Sequence, residues 1–122
     1  MDNQNQQGAF DSADIEQNKV MAVLAYIGPL VLVPILAAKD SKFAKFHANQ
    51  GLTLFICSFV YCIAVFIISF ILYSISDWLG FFVHILRLLN LAFLVLAVLG
   101  IINAVNGQAK ELPVIGKFQL LK

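Results

Sequence analysis

The sequence has few charged residues and no basic cluster of the kind that binds nucleic acid. Only 12% of its 122 residues are charged and 61% are hydrophobic, whereas soluble domains carry about 25% charged residues. Such a chain cannot cover a water-facing surface, which excludes an ordinary soluble domain. The net charge of +1 and the lack of a Lys- or Arg-rich stripe exclude the phosphate-neutralising surface of a nucleic-acid-binding protein.

Cysteine is scarce too, and the enzyme motifs that a short sequence would reveal are missing. Cys57 and Cys62 lie about 140° apart around a helix, and no third cysteine completes a metal site. We expect both to act as small hydrophobic residues. No GxSxG, HExxH or GxxxxGK[ST] pattern occurs, so hydrolase, zinc-protease and P-loop chemistry are not indicated. We predict a non-enzymatic protein without a cofactor or bound metal.

What the sequence has in abundance is long apolar runs. Three of them approach or exceed the ~20 residues that a helix needs to cross a bilayer. They are residues 20–38, 51–75 and 81–106. We therefore predict an all-α integral membrane protein with three transmembrane helices within residues 19–107. Pro29 and Pro34 are expected to kink the first helix, either as a plain bend or as a hinge or cavity-lining break.

The flanking segments are more polar. Residues 1–18 are rich in Asn, Gln and acidic residues, so we predict a largely disordered tail, with Asp11 or Ser12 capping a helix. This tail lacks the basic start and apolar stretch of a secretory signal. Residues 108–122 are expected to lie at the membrane interface, with Phe118, Leu120 and Leu121 dipping toward lipid.

The lysines predict an orientation. With three spans, one side would carry most of them, namely Lys39, Lys42, Lys45, Lys110, Lys117 and Lys122. Because cytoplasmic loops collect Lys and Arg, we predict the N-terminus outside and the C-terminus in the cytoplasm. Lys39, Lys42 and Lys45 are expected to contact anionic lipid headgroups.

The stretch KFHANQGL, residues 45–52, places polar side chains at the start of the second apolar run. Asp40 or Ser41 can cap a helix here. Helical spacing then puts Phe43, Phe46, His47 and Gln50 on one face, with Lys42, Lys45 and Asn49 elsewhere. His47 and Gln50 could hydrogen-bond loose ends of neighbouring spans, either carbonyls freed by the prolines or the amides of Asn103 and Asn106. Alternatively, they could contact a substrate, a proton or a partner.

The third run contains His84, Arg87 and Asn90. Ionisable residues within a span are functional candidates, yet Arg87 lies near the 76–80 turn, where a long side chain can reach the interface. It could instead line a polar cavity with Asn90. Small residues recur at helical spacing along the same run, at Ala97, Gly100, Ala104 and Gly107, and such a stripe is expected to pack on the second helix.

Three segments, in order, resemble a known family. They are AYIGPL, KDSKFAKFHANQGL and INAVNGQAKELPVIG. Together they are similar to small prokaryotic membrane proteins that resemble the chloroplast inner-envelope import component Tic-twenty. The matching positions are Phe46, His47, Ala48, Gln50, Ala104, Gly107, Lys110, Pro113 and Gly116. The resemblance implies a multi-pass protein of the prokaryotic cytoplasmic membrane, in a family of unassigned function.

The sequence thus predicts a small accessory protein or subunit that works through helix contacts with itself or with another membrane protein. The alternatives are an oligomeric channel or carrier for a small solute, ion or polypeptide, and a lipid-responsive protein acting through its lysines. The candidate functional or packing residues are Phe46, His47, Asn49, Gln50, Arg87, Asn90, Asn106, Gly107 and Pro113.

Overall fold

The structure, a computed structural model, describes residues 10–117 and is helical without strands over that range. Its helices are α1 (Ser12–Leu24), α2 (Leu32–Ala37), α3 (Lys42–Ile75), α4 (Gly80–Leu89) and α5 (Leu91–Val105), with 3-10 turns at Gly28–Val31 and Asp77–Leu79. The disorder predicted for the first residues and the lipid contacts predicted for Phe118, Leu120 and Leu121 lie outside the described residues.

The first predicted span, residues 20–38, is not a continuous helix. α1 ends at Leu24, Gly28 has a positive φ of 50°, and Pro29 lacks the N–H that would continue a helix. Pro34 lies in the first turn of α2, where N–H groups have no helical partner, so it bends no helix. At six residues, α2 is too short to cross a bilayer. The structure therefore does not confirm the predicted three-span fold.

Two helical segments are long and apolar enough to span a membrane. α3 has 34 residues, and the segment Asp77–Val105, which contains α4 and α5, has 29. Only 11% and 6% of their most apolar windows are buried inside the molecule, whereas the core helix of a soluble protein is mostly buried. The predicted second and third spans are therefore present as apolar helices whose surfaces need a non-aqueous environment.

The molecule has two parts of different character. We call residues 10–54 and 104–117 the head, and residues 55–103 the hairpin. The buried apolar cluster lies in the head and consists of Ala22, Ala25, Tyr26, Val31, Phe43, Leu54, Ala104, Ala109 and Leu112. In the hairpin most large hydrophobic side chains are exposed, among them Phe66 at 74% and Phe70 at 72%.

Two glycines allow the segment after α1 to wedge between the long helices. A Cβ atom on Gly51 would lie 1.7 Å from the Ala25 carbonyl oxygen, and one on Gly100 would lie 2.2 Å from the Tyr26 ring. The small-residue stripe of α5 therefore faces the segment after α1 at Gly100, and Gly107 faces Ile15 of α1. At these two glycines the packing differs from that predicted, because the prediction took residues 20–38 for a separate span, whereas elsewhere along its length α5 does contact α3.

Candidate functional site

The start of α3 is fastened to α1 by a carboxylate. Ser41 is the N-cap residue of α3 and accepts a hydrogen bond from the Ala44 amide at 3.0 Å. Asp14 of α1 accepts hydrogen bonds from the Ser41 hydroxyl at 2.5 Å and from the Phe43 amide at 3.1 Å. Asn18 donates to the same carboxylate at 2.9 Å. Asp14 thus satisfies a free N–H at the helix start and places negative charge against the positive end of the helix dipole.

The electrostatics of Asp14 follow from these contacts. Partial burial by itself would raise the pKa of this carboxyl, but the hydrogen bonds from Ser41, Phe43 and Asn18 outweigh it and hold the pKa below its ordinary value of 3.8. The folded head therefore favours the ionised form of Asp14.

His47 is completely buried one turn further along α3. Its Nε2 lies 2.9 Å from the Gln108 carbonyl oxygen, and its Nδ1 lies 2.6 Å from the Tyr26 hydroxyl. Because a carbonyl only accepts, Nε2 carries the hydrogen, and the neutral ring then accepts from Tyr26 at Nδ1. Burial also raises the pKa of the Tyr26 hydroxyl, which keeps it a donor. The imidazole therefore joins α3 to the turn after α1 and to the C-terminal segment.

The side-chain amide of Gln50 binds the C-terminal segment as a backbone peptide group would, with one donated and one accepted hydrogen bond. Its Nε2 donates to the Gly116 carbonyl oxygen at 2.8 Å, and its Oε1 accepts from the Leu112 amide at 2.8 Å. Gln50 is only 2% exposed, so both backbone groups would be unsatisfied without it. We call the side chains of Asp14, Tyr26, His47 and Gln50, with their partners, the clasp.

The C-terminal segment reaches the clasp through a turn at Gly107. This residue has a φ of 70°, which favours glycine at a helix C-terminus. The Gln108 amide donates to the Asn103 carbonyl at 2.8 Å and the Gly107 amide to the Ala104 carbonyl at 3.1 Å. This pair is the Schellman pattern, and it directs the segment back over the start of α3.

The structure separates the remaining sequence candidates into two places. On the head, Phe46 packs against the ring of His47, and Asn49, expected on another face, is buried at 8% exposure. Of the sequence candidates on the head, the exposed ones are Lys39, Lys42, Lys45, Asn106 and Pro113. On the hairpin, Arg87 is exposed. Any role of these residues beyond packing stays a prediction.

Asn90 and the clasp do not form one path within a single chain. The Asn90 Nδ2 lies 3.6 Å from the Cys62 sulfur, and Cys62 follows His47 by 15 residues, or about 22 Å along the axis of α3. His47 and Gln50 use their polar atoms on internal partners. This arrangement does not favour the channel or carrier alternative, whose polar path required these residues together with Arg87.

The partners of His47 and Gln50 differ from those predicted. Neither proline-freed carbonyls nor the amides of Asn103 and Asn106 are bonded to them; Tyr26, Gln108, Leu112 and Gly116 are. The hydroxyl of Tyr26 within an apolar run was the available signal in the sequence. Asp14 gave none, because its partner Ser41 is 27 residues away. In the range 10–117, no three His, Cys, Asp or Glu side chains stand close enough to hold a metal ion.

Comparison with known proteins overturns the resemblance to Tic-twenty-like proteins. The family model of the magnetosome magnetite crystal formation protein family matches residues 17–119. The segments behind the earlier resemblance, around Tyr26, His47, Gln50 and residues 103–116, are the ones that build the clasp. These short matches did not identify the family.

Individual relatives agree with the family match. The chain is 34% identical to magnetosome protein MamF of Paramagnetospirillum magneticum over 102 residues, which cover 84% of this chain and 82% of the relative. It is 30% identical to MmsF of that organism over 96 residues, 79% of each chain. It is 32% identical to MamF of Magnetospirillum gryphiswaldense over 96 residues, 79% of this chain and 77% of the relative. No solved structure matches the chain. The chain belongs to the magnetosome magnetite crystal formation protein family.

Proposed function

We propose that this protein is a non-enzymatic component of a magnetosome membrane that contributes to the formation of magnetite crystals. The observation that carries the proposal is the family match over residues 17–119, which takes in the hairpin and nearly all of the described head. The two long apolar helices support a membrane location, and the clasp supports a role for the head as a preformed surface.

In this proposal the hairpin anchors the protein and the head lies at the membrane surface. Most of the hairpin's large apolar side chains are exposed in the isolated chain, so lipid or other helices must cover them. Side chains of Leu, Ile, Phe and Val each favour insertion by about 0.3–0.6 kcal/mol. Dozens of such side chains outweigh the cost of about 2.5–3.5 kcal/mol for one central arginine.

A two-span hairpin changes the proposed orientation, because both termini then lie on one side. The exposed head lysines include Lys39, Lys42, Lys45, Lys110 and Lys117, whereas residues 76–80 at the opposite end contain Asp77 and no Lys or Arg. The excess of lysine favours a cytoplasmic head. We therefore propose a cytoplasmic N-terminus as well as a cytoplasmic C-terminus, in place of the N-terminus outside.

Site-directed labelling tests this orientation. In a chain with Cys57→Ser and Cys62→Ser, single cysteines at Gln17, Lys110 and Asp77 are exposed to a membrane-impermeant maleimide. In intact cells of a bacterial host without magnetosomes, where the turn end faces the periplasm, only the Asp77→Cys protein should be labelled, and all three should react after lysis. Labelling of Gln17→Cys but not Lys110→Cys in intact cells would restore the three-span arrangement.

Genetic complementation tests the function. A Paramagnetospirillum magneticum strain without its MamF and MmsF genes receives this chain, and electron microscopy measures the size and shape of the magnetite crystals. We expect the chain to move the crystal-size distribution toward that of the parent strain. A chain that is present in the magnetosome membrane in equal amount and leaves the distribution unchanged would contradict the proposal.

We also propose that the protein acts through helix contacts with itself or with another membrane protein. The exposed apolar faces of α3 and α5 are compatible with this, since exposed apolar surface marks contact either with lipid or with other helices. Chemical crosslinking in native membranes should give discrete adducts. Recovery of the monomer alone at every expression level would contradict this part of the proposal.

A further inference from the structure

Arg87 lies beside a groove between α3 and α4 that the proposed function does not use. Two adjoining cavities of about 410 and 230 Å³ open along the hairpin and share Phe66, Ser69 and Arg87 in their linings. The larger cavity extends to Tyr73 and Ser74 near the turn end of the hairpin, and the smaller one extends to Cys62 and Asn90. The groove is therefore lined by apolar and uncharged polar side chains and carries one positive charge.

That charge has no partner among residues 10–117. The described residues hold no ion pair or hydrogen bond of the Arg87 side chain. Asp77 is the only acidic residue between positions 41 and 110, and it lies about 16 Å from Arg87 along the helix axis. An arginine within an apolar segment needs a counter-ion or a route to the interface.

A second copy of the chain would not supply the counter-ion. In a symmetric assembly within one membrane, all copies have the same orientation, so the Arg87 residues lie at equal depth and face one another. Each Asp77 remains about 16 Å away along the helix axis. Like charges at one depth repel, and the anion must come from another molecule.

The polar groups that line the groove indicate which anion fits. The hydroxyls of Ser69 and Ser74 already donate to the carbonyls of Val65 and Phe70, so they offer no hydrogen to a ligand. In the larger cavity the donors that remain are the Arg87 guanidinium and the Tyr73 hydroxyl. Helical side chains lean toward the N-terminus of their helix, which in α4 is the turn end. The guanidinium is thus directed toward the membrane surface next to Tyr73.

We propose that this groove binds an anionic phospholipid, with the phosphate on Arg87 and Tyr73 and an acyl chain along Phe66 and Phe70. A single arginine matches a single phosphodiester charge, whereas a zwitterionic lipid brings its own cation and gains less. The lipid belongs to the leaflet at the turn end, opposite the head lysines. This inference rests on the membrane hairpin of the proposed function.

Fluorescence quenching of Trp78 provides a local test. Trp78 is the only tryptophan, is 69% exposed and lies at the turn end. The full-length chain is reconstituted in phosphatidylcholine vesicles that contain equal mole fractions of either brominated phosphatidylglycerol or brominated phosphatidylcholine. One cation near the membrane surface favours anionic over zwitterionic lipid about fivefold. The brominated phosphatidylglycerol should therefore quench Trp78 more strongly than the brominated phosphatidylcholine.

Variants assign the preference to the groove. Arg87→Gln should remove the preference, Arg87→Lys should retain most of it, and the double variant Lys42→Gln, Lys45→Gln, altered in the opposite leaflet, should leave it unchanged. Equal quenching by the two lipids in the unmodified chain would overturn the lipid site alone. Quenching by neither lipid would overturn both the site and the membrane hairpin.

A second measurement separates a lipid from a second copy in the groove. In a Cys57→Ser chain, Cys62 at the end of the groove should not form a disulfide-linked dimer under mild oxidation in vesicles. Efficient dimer formation that depends on Arg87 would show another copy there and overturn the proposal.

Discussion

The two parts of α3 differ in what they bury and what they expose. Between Lys42 and Leu54 the helix has nine buried residues, among them His47, Asn49 and Gln50, and after Leu54 only Val65 is buried. The polar side chains are thus inside, and the exposed ones are mostly apolar. The first part is surrounded by protein that satisfies its polar groups, and the second part has a surface suited to lipid.

This difference teaches how a small membrane protein can have a specific fold. Lipid is as apolar as the side chains of the hairpin, so burial of apolar area does not fix how two such helices pack. In the head, by contrast, each buried polar atom of the clasp has a directional partner whose loss is costly. We expect the structural specificity to reside in the head and the membrane affinity in the hairpin.

The largest expected effect comes from blocking the close contact between α3 and the end of α1. In Gly51→Ala, the new Cβ atom would meet the backbone oxygen of Ala25 at 1.7 Å, and backbone cannot rotate away as a side chain can. We expect a loss of about 3 kcal/mol in the free energy of unfolding, measured by thermal unfolding in detergent micelles. Ala64→Val adds more volume on the exposed part of α3 and should leave the stability unchanged. Equal losses in the two variants would remove the distinction between head and hairpin.

The two histidines allow a matched comparison of the head with the hairpin. His47→Phe leaves the Tyr26 hydroxyl and the Gln108 carbonyl without their partner in a buried site. We expect a loss of about 2 kcal/mol in the same unfolding measurement. His84→Phe, at an exposed position of α4, should be nearly neutral. If the His47→Phe variant keeps the stability of the unmodified chain, the clasp contributes little to the stability of the head.

Gln50 tests whether the clasp holds the C-terminal segment locally. Gln50→Leu removes the hydrogen bonds to Leu112 and Gly116. Because the backbone groups that lose these bonds can then bind water, we expect the free energy of local opening of the C-terminal segment to fall by about 1 kcal/mol. Trypsin cleavage after Lys110 should become several times faster, as followed by mass spectrometry. Gln17→Leu, at an exposed position of α1, is the control, and unchanged cleavage in Gln50→Leu would contradict a holding role.

The sequence predicted some of these features because they depend on neighbouring residues. The length of the apolar runs indicated the helices of residues 51–75 and 81–106, and Ser41 and Asp11 were recognisable as helix caps. Pro29 and Pro34 led to the wrong prediction of one kinked helix, because a short sequence pattern does not distinguish a kink within a helix from the end of one helix and the start of another.

The rest of the head depends on contacts between distant residues. Tyr26 reaches His47 across 21 residues and Gln50 reaches Gly116 across 66, and no helical spacing encodes such pairs. That His47 and Gln50 turn inward could be expected from their position at the start of an apolar run. Their hydrogen-bond partners could be identified only from the tertiary structure.

The smallest expected effect is a dependence of head stability on pH through Asp14. The pKa of this carboxyl is lowered in the folded protein relative to its ordinary value of 3.8, so the unfolded chain binds the proton more readily. The stabilisation is then complete well above pH 3.8 and is lost as the pH falls through 3.8 toward the folded pKa. In thermal unfolding between pH 6 and pH 3, Asp14→Asn should flatten this part of the profile. Asp77→Asn, at the turn end of the hairpin, should keep the profile of the unmodified chain. If both variants retain the full acid dependence, carboxyls other than Asp14 control it, and the contact between α1 and the start of α3 has no electrostatic share in the stability of the head.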